Sequence, residues 1–84
     1  MIESVINRII DYIKFISISY NKSVTASEII EEFKHEHTLT KQRVIRILMI
    51  KTREIPQLKQ IEVRKMGEGG QRYSVLAWKW EEGE

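Results

Sequence analysis

The 84-residue chain has no cysteine, a single proline, four glycines and no apolar run that approaches the length of a membrane span. Without cysteine there is no disulfide framework, no thiolate metal site and no cysteine nucleophile, so the fold rests on its core alone. Glu3 and Asp11 stand where a secretory leader wants only basic charge, and an intracellular, cytoplasmic protein is the default expectation. So short a chain has room for one domain, residues 1–84. With 42% hydrophobic and 31% charged residues it is neither mostly disordered nor collagen-like. No internal repeat, low-complexity tract or linker interrupts it.

Charge becomes informative when divided along the chain. Residues 1–38 hold four basic and six acidic residues, a net of −2, whereas residues 39–80 hold ten basic and three acidic, a net of +7. Glu81, Glu82 and Glu84 in the acidic tail, 81–84, bring the total back to +2. The modest total hides a strongly basic second half, the polarity that a polyanion-binding face needs. Isoleucine fills fourteen positions beside abundant Lys and Glu, a bias that resembles proteins of hot-living archaea.

Ile2, Val5, Ile6, Ile9, Ile13 and Ile16 recur at three- and four-residue spacings, which predicts a first helix over about 2–19 with one apolar stripe. Asn21 to Ser23 break the pattern. Thr25, followed three residues later by Glu28, is a capping box that opens a second helix over about 26–34, burying Ile29, Ile30 and Phe33. His35 to Thr38 form a polar link, and Thr40 caps a third helix over about 41–55 that stops before Pro56. Beyond Pro56 the period changes to alternation, with Ile61 and Val63 on one strand and Ser74, Leu76 and Trp78 on another, across Gly67-Glu68-Gly69-Gly70. This predicts a two-stranded β-hairpin over about 60–80. A turn centred on Glu68 and Gly69 sets Ile61 against Leu76 and Val63 against Ser74 on the inner side, Arg64 against Tyr73 on the outer side, and Lys65 against Arg72 beside the turn.

Helix, helix, helix, hairpin makes an α+β chain that resembles the winged helix-turn-helix superfamily over nearly its whole length. The resemblance rests on Val24-Thr25-Ala26-Ser27-Glu28-Ile29-Ile30 opening the second helix and Leu39-Thr40-Lys41-Gln42-Arg43-Val44-Ile45-Arg46-Ile47-Leu48 opening the third, with 61–80 as the wing. With its Trp78-Lys79-Trp80 ending it is most similar to small winged-helix proteins of crenarchaeal viruses and plasmids. Two departures stand out: the link between the second and third helices is somewhat long, and Lys51 falls where many members of the family have leucine.

On the third helix Val44, Ile47, Leu48 and Ile55 face the core, leaving Gln42, Arg43, Arg46 and Arg53 toward solvent. The resemblance implies that this recognition helix enters the major groove of double-stranded DNA, with Gln42, Arg43 and Arg46 at base edges, where arginine pairs with guanine and glutamine with adenine. Thr40, Lys41, Arg53, Lys65 and Arg72 would hold backbone phosphate. The plainer reading of these groups is an ordinary solvated face.

Trp78 is expected in the core and Trp80 over the open end of the sheet. Met49 and Ile50 on the less buried side of the third helix, with Phe15 and Ile18 off the main stripe of the first, point to a homodimer. His35 and His37 sit two apart and diverge on a helix, unlike a metal-binding i, i+4 pair, and the glycine turn precedes a strand rather than a helix. No nucleophile, base and orienting group occur together, so the expectation is a protein without catalytic residues, metal, cofactor, membrane contact or small-molecule ligand. The expected function is sequence-specific binding of duplex DNA as a transcriptional regulator. The alternative is a protein-docking module in a replication, transcription or membrane-remodelling assembly, since winged helices serve both ends.

Overall fold

A computed structural model describes residues 3–82 of the protein; Ile2 of the expected first helix and Glu84 of the expected tail lie outside the described residues. Among the described residues three α-helices pack with a three-stranded antiparallel sheet in an α+β fold. The order is α1 (Glu3–Tyr20), β1 (Val24–Thr25), α2 (Ala26–Glu32), α3 (Lys41–Glu54), β2 (Leu58–Met66) and β3 (Arg72–Trp80). Among the described residues no helix is long and apolar enough to cross a membrane.

The apolar stripe of α1 buries Val5, Ile6, Ile9 and Ile13, and Ile10 widens it beyond the expected set. The helix ends where Asn21 takes a φ of 52°, a left-handed conformation that a short polar side chain tolerates. Val24 and Thr25 then pair with Trp78 and Ala77 as β1, so the sheet has a third strand where a two-stranded hairpin was expected. Thr25 does two jobs. Its backbone closes the strand, while its hydroxyl accepts from the Glu28 amide at 3.3 Å and the Glu28 carboxylate accepts from the Thr25 amide at 3.3 Å, completing the capping box.

Helix α2 stops at Glu32, two residues before the expected end, because the Glu36 amide donates to the Phe33 carbonyl at 2.9 Å and the Leu39 amide to the Glu36 carbonyl at 3.1 Å, turning the chain. The long link is therefore well tied. Arg8 pairs with Glu36 at 3.3 Å and lies over the Phe33 ring, while Leu39 is buried in the core.

Helix α3 buries Val44 and Leu48 and ends at Glu54, with Ile55 as an extended cap before Pro56, one residue short of the expected end. Lys51 buries its stem and holds its ammonium 3.2 Å from Glu54 and 3.6 Å from Glu3. Trp78 is fully buried, and its indole N–H has no acceptor among the described residues. Burying an indole ring contributes roughly 4–6 kcal/mol, which outweighs the cost of about 1–3 kcal/mol for the unmade bond.

The hairpin register differs by one residue from the expected one. Ile61 pairs with Ala77 rather than Leu76, Val63 with Val75 rather than Ser74, and Arg64 with Ser74 rather than Tyr73. Lys65 pairs with Tyr73 rather than Arg72, which instead stands opposite Met66. The loop explains the slip. Instead of a two-residue turn on Glu68 and Gly69, residues 67–71 form a wider loop closed by the Gly67 amide donating to the Gln71 carbonyl at 2.7 Å. Gly69 and Gly70 both hold positive φ, 78° and 81°, which glycine adopts without strain. A one-residue slip exchanges the faces of a strand. Ile61 and Val63 thus leave the inner side and share the outer face with Val75, and Ile61 is 36% exposed. The inner face is carried by Leu58, Leu76, Trp78 and Trp80.

Candidate nucleic-acid interface

The third helix presents its polar side because Val44 and Leu48 fix its phase. At about 100° per residue, Gln42, Arg46, Met49 and Arg53 fall along one outward line, roughly opposite the buried pair. These four, with Ile45 and Ile50 on either flank, line a shallow groove along α3. Gln42, Arg46 and Arg53 are exposed, as the sequence implied.

At the start of α3 the Thr40 hydroxyl accepts from the Arg43 amide at 3.2 Å, and the first intrahelical bond runs from the Val44 amide to the Thr40 carbonyl at 3.0 Å. The amides of Lys41 and Gln42 consequently lack an intrahelical acceptor, and no acidic side chain lies in the first turn to take them. Arg43 behaves differently from its neighbours. Its guanidinium donates to the Thr38 carbonyl at 2.9 Å, which draws it back toward the α2–α3 link and away from the line of Gln42 and Arg46.

A cleft of about 350 Å³ separates the starts of α2 and α3 from the hairpin, lined by Ser27, Lys41, Ile45, Lys65, Tyr73 and Val75 among others. It brings Lys41 and Lys65 to one opening, although 24 positions separate them in the sequence. Beyond it, Arg64, Lys65, Met66 and Arg72 surround a smaller hollow near the hairpin loop. Lys65 and Arg72 therefore flank one hollow without facing each other across the strands.

Among the described residues the ion pairs are Arg8 with Glu36 and Lys51 with Glu3 and Glu54. Lys41, Arg46, Arg53, Lys65 and Arg72 are in none of them. Such a run of uncompensated cations along one side raises the local attraction for polyanions. Lys51 marks the contrast, since on the inner side of α3 its Glu54 hydrogen bond and the nearby Glu3 raise its pKa above the ordinary lysine value.

The contributors not singled out in the sequence as parts of this surface include Ile45, Met49, Ile50 and Tyr73. Met49 is legible in the sequence, three residues from Arg46 and four from Arg53, but an exposed apolar side chain there reads equally as a dimer contact. Tyr73 joins Lys65 only through the actual register. His35 and His37 are exposed in the link after α2, away from these grooves. Comparison of the chain with protein-family models, with curated proteins and with solved structures returned no match.

Proposed function

We propose that the protein is a winged helix-turn-helix that binds double-stranded DNA in a sequence-specific manner and acts as a transcriptional regulator. The observation that carries this reading is the unpaired cationic surface running from Arg53 and Arg46 along α3, past Lys41, to Lys65 and Arg72 on the hairpin. The sheet order β1-β3-β2, with α2 and α3 inserted between β1 and the hairpin, supports the winged-helix layout.

In this arrangement α3 enters the major groove, where Gln42 and Arg46 meet base edges, while Lys41, Lys65, Arg72 and Arg53 neutralise backbone phosphate. Free amides at Lys41 and Gln42 add donors for the same phosphates. Arg43 can reach a base only by exchanging its Thr38 bond, so it contributes less to base reading than Arg46. A second reading, protein docking, is favoured by Ile45, Met49 and Ile50, which give the α3 face an apolar component. Titration against duplex DNA and duplex RNA of the same sequence tests the choice. Preference for duplex DNA supports the proposal, preference for RNA turns it to structured RNA, and binding to neither leaves the docking reading.

A further inference from the structure

We infer that Met49 reads the 5-methyl group of a thymine, an inference that rests on the duplex-DNA reading of α3. An exposed apolar residue is ordinary in itself. Met49, however, is 40% exposed on the outermost line of α3, three residues after Arg46 and four before Arg53. One helical turn on either side of it is cationic, and Ile45 and Ile50 flank it within the same groove.

That alternation constrains the occupant. An apolar protein surface pressed here would strip water from Arg46 and Arg53 without supplying acceptors, which costs several kcal/mol per buried, unpaired charge. The floor of the major groove supplies both chemistries at short range: purine N7 and guanine O6 accept from arginine, and the thymine methyl is the apolar feature among the base edges. Three residues advance about 4.5 Å along a helix, which spans one to two base steps at about 3.4 Å each. The thymine read by Met49 therefore lies one or two steps from the base read by Arg46. The long unbranched thioether adapts to a methyl whose position varies with local DNA shape.

Replacing thymine with deoxyuridine removes the methyl and leaves every hydrogen-bonding edge intact. A duplex is first selected from a random-sequence pool, and each thymine is then replaced in turn. One or two replacements are expected to weaken binding about fourfold each, the equivalent of one buried methylene at about 0.8 kcal/mol. In Met49→Ala, whose helical signal is retained because alanine favours helix, the same replacements change nothing, while Met49→Leu keeps the sensitivity. Wild-type protein that binds all-deoxyuridine DNA as tightly as thymine DNA overturns the inference and leaves duplex-DNA binding standing. Sensitivity that survives in Met49→Ala assigns the methyl to another residue and overturns it as well. No binding to any duplex removes the inference together with the DNA reading, and the apolar line then belongs to a protein interface.

Discussion

The backbone amide of Trp80 donates to the hydroxyl of Ser17 at 2.8 Å, joining positions 63 residues apart. β1 is two residues long and pairs only as far as Trp78 on β3, so the same edge of β3 runs out of strand partner two residues later. Ser17, otherwise a polar intruder among the buried residues of α1, fills the gap. Ser17→Ala is expected to lower stability by about 1–2 kcal/mol, because a partly buried amide loses its acceptor. Urea unfolding with an unchanged slope and a lowered midpoint checks this; an unchanged midpoint would show that water replaces the hydroxyl without loss.

The hairpin loop gives a second test. Nothing lies within 4 Å of a Cβ added at Gly69 or Gly70, so the penalty for a side chain there comes from positive φ alone. Gly70→Ala should cost about 1–2 kcal/mol and Gly70→Asn distinctly less, since asparagine tolerates the left-handed region. Nuclear Overhauser contacts across the strands should join Ile61 to Ala77 as direct partners. If Ile61 is instead paired with Leu76, the loop is shorter than described and both glycine predictions fail with it.

Lys51 makes stability depend on alkaline pH in a defined direction. Its hydrogen bond to Glu54, with the nearby Glu3, holds its pKa above the unfolded-chain value. A raised folded-state pKa means that the contribution is fully present below the ordinary lysine range and is lost as pH rises through the folded value. The midpoint difference between wild type and Lys51→Met, followed by urea unfolding from about pH 8 to about pH 12, should therefore move in favour of the variant at the alkaline end. A constant difference across that span would mean that the ion pairs do not contribute.

Much of the fold was legible because its signals are local. The stripe on α1, the Thr25 and Glu28 pair, and Pro56 each act within a turn or two of the chain, and they located α1, the start of α2 and the end of α3. β1 was hidden because Val24 and Thr25 become a strand only by meeting Trp78 and Ala77, which lie far along the sequence. The register failed for a related reason: glycine composition marks a loop, but which glycines take positive φ decides its length, and a slip of one exchanges the two faces of β2. The candidate surface divided in the same way. Gln42, Arg46 and Arg53 follow from the helical phase that Val44 and Leu48 set, whereas the opening shared by Lys41 and Lys65 depends on tertiary packing.

Self-association through α1 is expected from Phe15 and Ile18, which are 55% and 56% exposed, with the Tyr20 ring meeting Phe15 edge-on at 6.1 Å. Apolar side chains grouped this way lose contact with water in a symmetric pair. Sedimentation at micromolar concentration should show a dimer, and Phe15→Glu should return a monomer with its helical circular dichroism intact. A monomer at every accessible concentration contradicts the expectation and favours binding to a single half-site.

Binding to duplex DNA across a salt series tests the central claim most directly. Neutralisation of one phosphate each by Lys41, Arg53, Lys65 and Arg72 predicts a slope of roughly −3 to −4 for log affinity against log salt, and Lys41→Gln with Lys65→Gln should make it shallower by about two units. Absence of duplex binding at low salt, or a slope that the paired substitution leaves unchanged, would contradict the account.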